Sequence, residues 1–132
     1  MAEIDSWARF DEIALAEPAT LTEGERRLQA FGWLRTEINN GGFHQLLFNS
    51  AGDLRPVALE AAREAGADEL VTLVERAIGS LGEPYPTDRT GRQEILERLG
   101  DHYEDSLEPL DAAYYELEAA SDLDVLMAGL LR

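Results

Sequence analysis

The side chains best suited to chemistry lie in one polar run, Asn39, Asn40, Gly41, Gly42, Phe43, His44 and Gln45, closed by Asn49, Ser50 and Asp53 beyond a short apolar stretch. An imidazole such as that of His44 titrates near neutral pH and can serve as a general base, provided a carboxylate orients it and a nucleophile lies within hydrogen-bond reach. Sequence alone places neither. The competing reading is structural: two adjacent glycines let helices meet at a tight corner, and the Asn, His and Gln side chains satisfy backbone groups exposed there.

Other chemistries are harder to assemble. The 132 residues include no Cys and, all eleven bases being Arg, no Lys. Thiolate nucleophiles, disulfides, Schiff bases and the phosphate-loop lysine are thereby excluded. His44 and His102 are the only histidines and fit no paired-ligand spacing, and no EF-hand pattern is present, so neither a metal nor another cofactor is expected. There is no GxGxxG, phosphate loop or GxSxG, and Ser6, Ser50, Ser80, Ser106 and Ser121 read as caps, turns or surface. No catalytic residue is assigned.

Charge is the stronger signal. With 27 acids against 11 bases the net charge is −16, which argues against direct nucleic-acid binding, since affinity for phosphates comes from Lys and Arg. Residues 101 to 132 carry nine acids against Arg132 alone, a charge of −8 and half the total. Asp101, Glu104, Asp105 and Glu108 fall at i, i+3, i+4 and i+7, so on a helix they form one stripe, which Asp111 extends. Such a row holds roughly two carboxylates per 5.4 Å turn and approximates the spacing of duplex phosphates. Pro109 can interrupt it, and like charges at this spacing weaken a helix. Alternatively the acidity reflects solubility or the salt habitat of the host.

These residues must be positioned by helices. Ile4, Trp7, Phe10, Ala14 and Leu15 predict one over 4–16, ended by Pro18. Thr22 and Glu25 have capping-box spacing, and Leu28, Phe31, Leu34 and Ile38 form the stripe of a second helix, stopped by Asn39 to Gly42. Phe43 to Ser50 predicts a short buried helix. Pro56 opens another to about Ala65, with Gly66 as its left-handed terminator. Asp68 caps the next, through Leu81. Residues 82–90 are a loop because of Pro84 and Pro86, Thr90 and Gln93 cap a helix to Leu99, and a further helix runs through Leu107, Leu110, Tyr114 and Leu117, with Pro109 in its first turn. Ser121 caps a last helix, where Asp122 and Asp124 suit the positive end of the dipole. The fold class is all-α, a single-domain bundle of about seven to eight helices over 1–132. A chain of this length can bury roughly 68–70% of its unfolded surface in one core. No apolar run approaches the roughly 20 residues of a membrane span, and the N-terminus has no signal-like basic flank, so a cytoplasmic location is expected.

Three segments carry a family likeness: NNGGFHQLLFNSAGD at 39–53, LGEPYPTDRTGRQE at 81–94 and LDAAYYELEAASDLDVLM at 110–127. Together they resemble the bacterial DNA-mimic protein family, a domain otherwise of unknown function, over residues 21 to 131, leaving the helix in 1–20 outside the matched region. The resemblance implies an acidic, all-helical and commonly dimeric fold, and for the named member an interaction with a DNA-binding transcription factor. It assigns no catalytic role to His44 or Gln45. Leu46 and Leu47 are less aromatic than the family motif leads one to expect.

The resulting expectation is a non-enzymatic DNA mimic whose partner-binding face is Asp101, Glu104, Asp105, Glu108 and Asp111 and whose partner is a DNA-binding protein such as a transcription regulator, with a homodimer possible and no membrane contact. Arginine–carboxylate pairs would carry the interaction. One alternative is a small helical enzyme or ligand-binding domain using a pocket at Asn39, Asn40, His44 and Gln45. Another is an immunity-type interaction protein whose dimer surface involves Tyr85 or Trp33.

Overall fold

Thr22 and Glu25 close the expected capping box: the Thr22 amide donates to Glu25 Oε1 at 2.9 Å and the Glu25 amide to Thr22 Oγ1 at 3.1 Å. Two orphan donors are thereby satisfied reciprocally where the central helix begins. The computed structural model, which describes residues 5–48, 55–79, 88–99, 107–120 and 122–131, carries this helix, α2, over Glu23–Phe48. Asn39 and Asn40 do not stop it. The break falls at Gly41 and Gly42, and only Gly42 is left-handed, at φ 74°.

Around α2 the remaining helices are α1 (Ser6–Ile13), α3 (Arg55–Ala65), α4 (Asp68–Gly79), α5 (Arg89–Leu99), α6 (Glu108–Ala120) and α7 (Leu123–Gly129), with a 3₁₀ turn at Pro18–Thr20. The fold is compact and all-α, with no strand among the described residues. Helix α2 packs against α1, α3, α5, α6 and α7, while α4 bridges α3 and α6. Its inward positions Leu28, Phe31, Ile38, Phe43 and Leu47 join Leu70, Leu107, Tyr114 and Met127 in one apolar core. No helix among the described residues is long and apolar enough to cross a membrane.

Local chemistry explains the helix ends. Asp5 caps α1, accepting from the Ala8 amide, so that helix is shorter than 4–16. Gly66 follows α3 at φ 82°, as expected. Asp68 lies in the first turn of α4, and the Ala67 carbonyl accepts the first helical bond from Val71. Asp88, not Thr90, caps α5: its Oδ2 accepts from the Gly91 amide at 2.8 Å, and Gln93 turns to the Phe48 carbonyl. A carboxylate placed two residues earlier is the better partner for the positive end of the helix. Asp122 caps α7 through the Val125 amide, a role the sequence reading gave to Ser121, which lies outside the described residues. Of the residues read as a loop, 82–87 also lie outside them, and Arg89 and Thr90 already belong to α5 because the Asp88 cap starts that helix earlier.

Packing is close where α1 crosses α2. A Cβ on Gly32 would stand 2.3 Å from the Phe10 ring, so glycine is required for the approach. Phe10 meets Trp7 and Trp33 edge-on, with ring centroids 5.7 and 5.6 Å apart. Gln29 completes the junction by donating to the Ile13 and Ala16 carbonyls at 2.9 Å, the first of which also accepts from the Ala16 amide.

Candidate functional site

At Gly42 the α2 helix turns and restarts, which leaves the Phe43 amide without a helical acceptor. Asp111, 68 positions away on α6, supplies one: its Oδ1 accepts from Phe43 N at 2.8 Å. A Cβ on Gly42 would lie 2.5 Å from Asp111 Oδ2, so both the left-handed φ and the close carboxylate demand glycine. The expectation that Asp111 belongs to an exposed partner-binding stripe is therefore corrected. Its side chain is buried, on the same inward face as Leu107 and Tyr114.

The rest of the polar motif divides around this corner. Asn39 donates to Tyr114 Oη and to Glu118 Oε2, both at 3.2 Å, and Gln45 donates to Glu37 Oε2 at 2.8 Å. These are bonds to side chains, not the backbone contacts expected of them. His44 is half-buried and stacks on Phe48 with centroids 5.8 Å apart. Asn40 and Gly41 are exposed, and Phe43 is buried against Tyr114. Asn49, Ser50 and Asp53 lie outside the described residues. At the far end of α2, Arg92 donates to the Leu47 carbonyl at 2.7 Å and Arg89 to the Phe48 carbonyl at 3.3 Å, placing positive charge at the negative end of the dipole.

The strongest polar centre involves a residue the sequence reading passed over. Arg35 is 4% exposed, and its guanidinium grips Glu118 with two parallel bonds, Nε to Oε2 at 3.1 Å and Nη2 to Oε1 at 2.7 Å. Nη1 donates to Asp124 Oδ1 at 2.9 Å, and the guanidinium carbon sits 4.9 Å from the centre of the Trp7 ring. Trp7 Nε1 shares the same Asp124 oxygen at 2.9 Å. Tyr114 donates its hydroxyl to Glu118. Partial burial alone would raise the Glu118 carboxyl, but hydrogen bonds from Arg35, Tyr114 and Asn39 outweigh it and hold that group below its ordinary value. Desolvation also pushes Asp124 up, and bonds from Arg35 and Trp7 reverse the effect. Burial, reinforced by the Glu118 charge, pushes the Tyr114 hydroxyl far up, so it remains a donor.

A periodicity clue to this centre was present. Arg35 falls seven residues after Leu28 and four after Phe31, on the apolar face of α2; Asp111 and Glu118 occupy the Leu107–Tyr114 face of α6. A charge on an inward stripe requires an opposite charge to meet it. The arrangement is an ion-pair cluster around a buried guanidinium, with Asp124 at its exposed edge, and its chemistry is cohesion.

Availability of charge is a surface property. Asp101, Glu104 and Asp105 lie outside the described residues; Glu108 is exposed at the first position of α6, immediately before Pro109. Elsewhere Arg9 engages Glu12 and Glu25, Arg27 engages Glu23, and Arg63 engages Glu75. No ion pair with a described residue neutralises Asp11, Glu64, Asp68, Glu69, Glu94, Glu97, Glu108 or Glu116, all of them exposed. Among the described residues no group of three or more His, Cys, Asp or Glu side chains could hold a metal ion. Two hollows flank α4, and Asn39, His44 and Gln45 line neither.

The class is an all-helical scaffold that ties some of its acids to arginines and leaves other exposed acids without an ion pair among the described residues. The chain belongs to the DMP19-like protein family, whose model matches residues 19–132 and leaves α1 outside the match. No curated protein and no solved structure matches it.

Proposed function

We propose that this protein is a non-enzymatic DNA mimic that occupies the basic DNA-reading surface of a DNA-binding protein, such as a transcription regulator. The observation that carries the reading is the surplus of exposed carboxylates that form no ion pair among the described residues, in a chain of net charge −16. Membership of the DMP19-like family supports it. Guanidinium groups that normally clamp phosphates can clamp carboxylates in the same forked geometry. Glu108 remains available for this role, and Asp101, Glu104 and Asp105 complete the proposed stripe; Asp111 does not. The mimic acts in the cytoplasm, and a homodimer would present two such surfaces.

An affinity capture from the native cell, with and without competing duplex DNA, tests the reading. Recovered partners should be nucleic-acid readers, should be displaced by DNA, and should bind at least about tenfold more weakly at 200 mM than at 50 mM salt. Partners that ignore both DNA and salt refute it.

A further inference from the structure

Between α4 and α6 runs a groove of 650 Å³. Its α4 wall presents Glu69, Thr72 and Leu73, at i, i+3 and i+4, and its α6 wall presents Ala113, Glu116, Leu117 and Ala120, at i, i+3, i+4 and i+7. Each wall is thus one helical face. Leu73 and Leu117 are buried and form the base, while Glu69 and Glu116 are exposed at the edges. Small side chains on the α6 wall leave room for a third backbone to approach. A hollow of 200 Å³ shares Glu69 and Leu117 and prolongs the apolar base to Leu123 and Leu126 of α7.

Two adjacent helices with an open apolar seam are the ordinary seat of another amphipathic helix. The twelve residues of α4 extend about 18 Å, enough to support roughly three turns of such a ligand. One carboxylate on each wall, neither of them ion-paired with a described residue, fixes the sign of the flanking charges. Arg76 follows on the same face of α4 but does not line the groove. A second copy of the chain, itself carrying −16, would set like charges against this rim.

We propose that the α4–α6 groove docks a cationic amphipathic helix of a partner protein, with the helix's apolar stripe on Leu73, Ala113 and Leu117 and its arginine or lysine side chains on Glu69 and Glu116. This goes beyond mimicry, which needs only charge: the groove reads apolar pattern and charge together, whether or not the partner binds DNA.

The probe is a labelled 14-residue peptide with Leu on one helical face and Arg flanking it, compared by fluorescence anisotropy in 0.15 M salt with a shuffled peptide of equal composition. The patterned peptide should bind about tenfold more tightly than the shuffled one, a difference of about 1.4 kcal/mol. Ala120→Trp, which fills the groove from its exposed edge, and the pair Glu69→Gln, Glu116→Gln should each weaken binding by about tenfold. Asp11→Asn with Glu17→Gln removes the same charge from the α1 side and should leave affinity within about twofold, with circular dichroism checking that every variant is folded. Absent binding, equal binding of the two peptides, or equal weakening by the α1-side pair overturns the proposal. So does sedimentation showing a wild-type dimer that Ala120→Trp makes monomeric, because a second copy then fills the groove.

Discussion

Glu118 and Glu116 are two positions apart on α6, yet they belong to different electrostatic worlds. Glu118 turns inward to two bonds from Arg35, one from Tyr114 and one from Asn39; Glu116 edges a groove and forms no ion pair with a described residue. The same contrast separates Asp124, tied to Arg35 and Trp7, from Glu69 on α4. A formal charge of −16 therefore overstates what a partner can touch, because part of it is consumed in holding helices together. What matters for recognition is which carboxylates lack an internal partner.

Removing the cation tests the inner set most severely. Arg35→Ala should cost about 3–5 kcal/mol in urea unfolding, since it strands Glu118 beside the core without its counter-charge. A loss below about 1 kcal/mol would place this pair with ordinary surface salt bridges. Asp111→Ala comes next, at about 1–3 kcal/mol, because the buried Phe43 amide loses its acceptor. Asp111→Asn retains an acceptor oxygen and should recover part of that loss.

Acidification tests the inner set a second way. The folded-state values of Glu118 and Asp124 lie below their ordinary values of 4.5 and 3.8, so these groups stabilise the fold above those values and lose that contribution as pH falls through the lower folded-state ones. Glu118→Gln should flatten this part of the stability curve below about pH 4.5. Smallest of all is the effect of Glu69→Gln with Glu116→Gln on stability: within about 1 kcal/mol, chiefly the lost interaction of Glu69 with the start of α4. A larger change would show that the groove acids are structural after all.

Legibility in the sequence followed contact distance along the chain. The Thr22–Glu25 box, the helical stripes and the left-handed Gly66 are local patterns, readable within one or two turns. Asp88 was equally local and was passed over in favour of Thr90, whose spacing to Gln93 imitated a box. The Asp111–Phe43 bond spans 68 positions and the Arg35–Glu118 pair 83, separations that no periodicity reports. The spacing does put Arg35, Asp111 and Glu118 on apolar faces, a clue the sequence reading did not use, and spacing names no partner for any of them. Reading Asp111 as part of an outer stripe came from extending charge spacing across Pro109 without asking which face carried Leu107 and Tyr114.

The indole of Trp7 and the carboxylate of Asp124 are 117 positions apart in sequence and joined by one 2.9 Å bond. That bond makes a seam between the first and last helices, closed over the Arg35 guanidinium. Fraying at either end is consequently transmitted to the opposite one: loosening α1 admits water to the charge that anchors α7, and loosening α7 removes the acceptor that holds Trp7.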